Sequence, residues 1–230
     1  MDWAPATNSE GAKTVVVSAG QHVIFPSAGA SAPRLEGIVT PRSPLAVLLC
    51  HPQPATSAMD DPLLLALETR LTDAGMSALR FNFRGVAASE GESTDGRLEP
   101  LDVAGAVQYL RSSPTVQARR VVLVGLGFGA WMSLIYAAHD PALSAVVAIS
   151  PPVIRLADDS AAYEGPKLFV TGEFDEVCPP PKLETWVRTL PGECDFAVIP
   201  GARHLLRRAE DAVASLTLRY LQRATPTRLM

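Results

Sequence analysis

The sequence predicts a doubly wound α/β domain. Two observations carry that expectation: several strand-length segments read as unbroken apolar runs, and helix-length segments alternate with them along most of the chain. Continuous apolar strands belong to a mainly parallel sheet buried on both faces, because crossover helices cover it above and below. A chain of 230 residues, 47% hydrophobic and 19% charged, is long enough to bury one substantial core.

The elements follow in order. Residues 1–12 form a polar lead-in, residues 13–223 one domain and residues 224–230 a tail. "TVVVSA" at 14–19, "HVIF" at 22–25 and "RLEGIVT" at 34–40 read as short strands between Gly, Pro and Ser turn signals, an antiparallel start to the sheet. Counting "HVIF" as the first apolar strand, the third is "LAVLLC" at 45–50 and the fourth "MSALRFNF" at 76–83, with a helix near 61–74 between them. A helix around 99–112 leads to "RVVLVG" at 120–125, and a helix at 128–139 to "AVVAIS" at 145–150. "KLFVTG" at 167–172, a helix near 180–190, "DFAVIP" at 195–200 and a last helix over 204–223 complete the alternation.

Composition excludes several classes of function. A net charge of −4 provides no electrostatic footprint for nucleic acid or an anionic membrane, so the expected partner is a small molecule. Oligomeric state is left open. Three cysteines without C-x-x-C spacing argue against a zinc site or a disulfide framework, and the N-terminus has no basic segment leading into an apolar run. A cytoplasmic protein without metal or cofactor is the expectation. "GLGFGA" fails the G-x-G-x-x-G spacing of a dinucleotide site and does not follow the first strand of a βαβ unit.

Ligands of such sheets gather at the carboxyl ends of the strands, so the loops after 50, 83, 126, 150, 172 and 200 matter most. Five of them carry "CHPQP", "RGVAASEG", "GLGFGA", "TGEFDEVCPP" and "PGARHLL". A strand-to-helix glycine turn, then Asp175, then His204 is the chain order of a hydrolase triad. On "LLCHPQP", "LRFNFRGVAASEGE", "GFGA", "TGEFDEV" and "PGARH", found in register over about residues 45–210, the chain resembles the α/β-hydrolase superfamily, closest to its small lidless bacterial-type members.

That resemblance implies an α/β-hydrolase fold and four catalytic parts: a serine on a sharp turn, a histidine base, an orienting acid and an oxyanion hole. His204 corresponds to the base and Asp175 to the acid, with the N–H groups of Phe128 and Gln53 as the hole; Pro52 has no N–H to give. The serine position of G-x-S-x-G is Gly127 in "GLGFG". Other departures are "ATSAMDD" after the "HPQP" loop and Leu205 after the histidine, where the family commonly has a glycine pair and an aromatic.

Each candidate has a plainer reading beside it. His204 could cap the last helix, and "GEFDEV" is an acceptable turn. His51 could contact a ligand or bond neighbouring backbone. Arg80, Asn82 and Arg84 are expected to tie loops together, while Glu99 and Asp102 suit the start of a helix dipole. Cys50 and Cys178 read as small buried apolar residues rather than nucleophiles, and Ser150 could line the pocket.

The sequence therefore suggests a non-catalytic or weakly active hydrolase relative that binds a small ligand or partner. Its alternatives are an enzyme using His204 and Asp175 as an acid/base pair without a covalent step, in water addition, elimination or cyclisation, and a carboxylic-ester hydrolase whose serine has been engineered away. About sixteen residues separate the sixth and seventh strands, too few for a helical cap, so an open, shallow pocket is expected.

Overall fold

The computed structural model describes residues 20–30, 32–53, 55–156 and 162–226. The strand expected at 14–19, the lead-in and the end of the tail lie outside the described residues. Eight strands form one sheet: β1 (Gln21–Pro26), β2 (Arg34–Thr40), β3 (Leu45–Cys50), β4 (Ser77–Phe81), β5 (Arg120–Leu126), β6 (Ala145–Ile149), β7 (Lys167–Gly172) and β8 (Cys194–Ile199). Their spatial order is β1-β2-β4-β3-β5-β6-β7-β8. Strand β2 runs antiparallel to both β1 and β4, and every pairing from β4 to β8 is parallel.

The apolar runs are continuous because each strand serves two cores. In β3, Ala46, Leu48 and Cys50 face one layer while Leu45, Val47 and Leu49 face the other. The first layer is covered by α2 (Glu99–Ser112), α3 (Phe128–Ala137) and α4 (Pro180–Val187), and the second by α1 (Pro62–Asp73) and α5 (Glu210–Ala224). Helix α1 starts where the sequence directs it: Pro62 needs no hydrogen-bond donor at the first turn, and the Asp61 carboxylate accepts the Leu63 N–H at 2.9 Å. Its Leu63, Leu64, Leu67 and Leu71 return to one face and are fully buried.

One element differs from expectation. The last helix does not begin at residue 204: His204–Leu206 form a single 3-10 turn, and α5 starts at Glu210. Leu205, Leu206 and Arg208 have φ values of 63°, 54° and 68°, which a right-handed helix cannot contain. Between β6 and β7 the chain makes a short 3-10 turn, Val153–Arg155, and the connection is too short for a large cap. The carboxyl edge of the sheet is accordingly open.

Candidate functional site

Gly127 joins β5 to α3 at φ 56° and ψ −115°. An L side chain reaches these angles only under strain on the order of 1–3 kcal/mol, so the backbone has the shape of a turn that displays a residue, at a position with nothing to display. The turn is fixed from both sides: the Gly127 N–H donates to Ile149 O at 2.8 Å, and its carbonyl accepts from Ala130 and Trp131. Phe128 is the first residue of α3, and its N–H has no intrahelical acceptor by the geometry of any helix start.

Asp175 lies just past β7, its side chain fully buried. Its Oδ1 accepts the N–H groups of Val177 at 3.0 Å and Cys178 at 2.7 Å, and His204 Nδ1 lies 3.0 and 3.1 Å from the two carboxylate oxygens. Burial opposes ionisation of this carboxyl, but the hydrogen bonds from His204 and the Cys178 N–H outweigh it and hold it below the usual carboxylate range. An ionised Asp175 fixes the His204 tautomer with its proton on Nδ1, which leaves Nε2 as the basic atom of the ring.

A cavity of about 290 Å³ opens beside this pair. Gly127, Phe128, Gln53, His204 and Leu205 all line it, so the residues expected as base, nucleophile position and oxyanion donors share one pocket. A groove of about 870 Å³ lies at the opposite end of the strands, walled by Ser43, Pro44, Arg119 and Gln222. Among the described residues that groove has no base and acid in contact, whereas the smaller cavity has both His204 and its contact with Asp175.

His51 is not part of the pocket wall. It is completely buried, Nε2 accepts the Phe83 N–H at 3.1 Å and Nδ1 faces Pro52 O at 2.7 Å, so both ring nitrogens serve the backbone. The expectation of a ligand contact is corrected to the plainer reading, and desolvation lowers the pKa of the ring from 6.5 to about 4. Burial likewise pushes the Cys50 and Cys178 thiols up to about 12, as inert buried cysteines require. Ser150 is fully buried and lies outside the pocket wall, and its hydroxyl is one of the groups that help hold the Asp175 carboxyl below its ordinary range.

The tying role expected of "RFNFRG" is what the structure shows. Arg84 makes a buried fork with both Asp102 oxygens, Asn82 bonds Glu36 and Met59, and Arg80 pairs with Glu68. Asp102 is thus the partner of Arg84, and buried Glu99 gathers the loop at Ser93, Thr94 and Gly96 through four hydrogen bonds. The dipole reading of both acids is incomplete, since each is spent on a specific tie.

The outer wall of the cavity comes from residues the sequence does not single out. Arg155 lies over the Trp131 ring, 5.3 Å from its centroid, and bonds Asp95 at 3.0 Å. Pro152, Ile154 and Val177 complete the apolar side. The signal was present, because the loop after β6 is also at a carboxyl strand end and contains Arg155.

Comparison with known proteins bears on the family and the fold. A model of the dienelactone hydrolase family matches residues 88–225. An uncharacterised protein of Rickettsia prowazekii is 29% identical over 203 residues, covering 82% of this chain and 84% of that one. Among solved structures, a lidless α/β serine hydrolase from Xanthomonas campestris superposes with a TM-score of 0.80 at 23% identity, covering 91% of this chain and 96% of the other. An α/β serine hydrolase homologue from Coxiella burnetii has a TM-score of 0.76 at 25% identity, covering 89% and 99%. The fold is that of the α/β hydrolases, without a lid.

Proposed function

The chain belongs to the dienelactone hydrolase family, and from that premise we propose that it is a member without a covalent nucleophile, non-catalytic or weakly active toward esters, whose pocket takes a small ligand. The observation that carries this reading is Gly127 at φ 56° and ψ −115°, a displaying turn with no side chain. No hydroxyl at that position can attack a carbonyl. The cytoplasm, a reducing compartment, suits its three free cysteines, two of which are buried. Among the described residues no helix is long and apolar enough to cross a membrane.

A second reading has its own support in the contact between His204 and Asp175. An oriented histidine with a free Nε2 can take a proton from water or from a ligand, so the pair could act as an acid/base without a covalent step.

Aryl-ester turnover and fluorophosphonate labelling of the chain, of Gly127→Ser and of His204→Ala separate these readings. The unsubstituted chain is expected to stay unlabelled, and Gly127→Ser to gain both labelling and turnover, the turnover depending on His204 by about a hundredfold. Strong labelling of the unsubstituted chain sinks the proposal. Turnover without labelling that disappears in His204→Ala selects the acid/base reading.

A further inference from the structure

The turn that presents His204 does not hold its shape by local preference. Leu205, Leu206 and Arg208 have φ values of 63°, 54° and 68°, a backbone that residues other than glycine keep only where their surroundings fix it. Two restraints are local or apolar: the Leu206 N–H donates to Arg203 O at 3.1 Å, and the Leu206 side chain is fully buried in the second core. The third is an ion pair. Arg207 lays both terminal nitrogens on Asp61, at 3.2 Å to Oδ1 and 2.7 Å to Oδ2, although the two residues are 146 positions apart. Such a fork fixes direction as well as distance.

Asp61 receives it in a fully used carboxylate. Its side chain is 1% exposed; Oδ1 also accepts the Leu63 N–H at 2.9 Å, and Oδ2 also accepts the Ser57 hydroxyl at 3.3 Å. Ser57 belongs to the loop after β3, where its N–H and that of Thr56 donate to Gln53 O at 3.0 and 3.1 Å. One buried acid therefore ties the turn of His204 to the loop of Gln53, and both of those residues line the cavity. The other side-chain ion pair of this segment, Arg203 with Glu176 at 3.1 Å, is 77% and 82% exposed and holds little against solvent.

We propose that Asp61 and Arg207 are a positioning pair, which sets the His204 ring against Asp175 and fixes its place relative to the Gln53 loop. The inference goes beyond the reading of Gly127, because it concerns the orientation of the base and holds with or without a nucleophile at that position.

The test follows His204 itself in the full chain, prepared with isotopically labelled histidine. The Nδ1 proton facing Asp175 should give a resonance far downfield of the backbone amides, assigned by its loss in His204→Gln. In Arg207→Ala this resonance should move upfield and its proton should exchange with water about tenfold faster, as a loosened turn requires. Asp61→Asn, which keeps an acceptor for the Leu63 N–H, should do the same, and Arg207→Lys, which restores the charge without the fork, should fall between. Arg203→Ala should change nothing. Where Gly127→Ser gains ester turnover, adding Arg207→Ala should lower its kcat about tenfold and leave KM nearly unchanged. A pair that only stabilises the fold would lower the urea midpoint and leave the resonance in place. An unchanged resonance and exchange rate in folded Arg207→Ala, or an equal change in Arg203→Ala, overturns the proposal; should Asp61→Asn not fold, the Arg207 variants decide, since that side chain is 44% exposed. A Gly127→Ser chain without turnover counts against the reading of Gly127 alone, and the resonance then decides the positioning pair.

Discussion

A methyl group at position 129 would stand 2.2 Å from the carbonyl oxygen of Cys50 and 2.5 Å from that of His51, both backbone atoms of the neighbouring strand and loop. Neither can move without shifting β3, so Gly129→Ala is expected to cost about 3 kcal/mol, the upper end of ordinary overpacking. Urea unfolding checks this, and a loss below about 1 kcal/mol would show that the helix can lift away from the strand. Two residues earlier the situation differs in kind. A Cβ at Gly127 meets its nearest neighbour at 3.3 Å, and that neighbour is side-chain carbon rather than backbone. The cost of Gly127→Ser is therefore mainly the strain of a side chain at φ 56°, on the order of 1–3 kcal/mol, which a folded variant can carry into the labelling experiment. Gly127 therefore leaves room for a side chain, whereas Gly129, inside α3, is required by the close approach of the helix to β3.

Elements are held in register by ties that the sequence shows only as charged residues at strand and helix ends. Arg84, after β4, and Asp102, in the first turn of α2, have side-chain exposures of 6% and 0%, and Arg84 also reaches Ser27. Removing the acid alone leaves a buried guanidinium uncompensated, so Asp102→Ala is expected to lose about 3–5 kcal/mol by denaturant unfolding. A double replacement by apolar residues of similar volume should lose much less, and equal losses would refute the pairing as the cause. The regular elements were legible because sheet burial imposes apolar continuity and α1 has its cap written at Asp61 and Pro62. The turn after His204 was not, since positive φ at Leu205, Leu206 and Arg208 follows from tertiary packing against the site and leaves no mark in local propensity. The pairing of Asp175 with His204 could be anticipated from strand order, whereas the stacking of Arg155 on Trp131 joins the turn after β6 to helix α3, whose proximity only the fold creates.

For the molecule as a whole, the buried groups beneath the site set its response to acid. Folded His51 refuses a proton until about pH 4, because burial disfavours the imidazolium, while the unfolded chain accepts one near its ordinary pKa of 6.5. Protons bound preferentially by the unfolded state pull the equilibrium toward unfolding, so the contribution of His51 is present above pH 6.5 and is lost as pH falls toward 4. A shift of that size corresponds to on the order of 3 kcal/mol. Asp175 acts in the same direction at lower pH, since its folded carboxyl is held below the usual carboxylate range and must be protonated against its bonds to His204 and Cys178. Unfolding free energies measured by urea titration from neutral pH down to pH 4 should therefore fall steeply, beginning above the range in which ordinary carboxylates titrate. His51→Gln, which removes the imidazole, should start less stable at neutral pH and show a shallower decline between pH 6.5 and 4. The same decline in both proteins would assign the acid sensitivity to the carboxylates and leave His51 a packing role only.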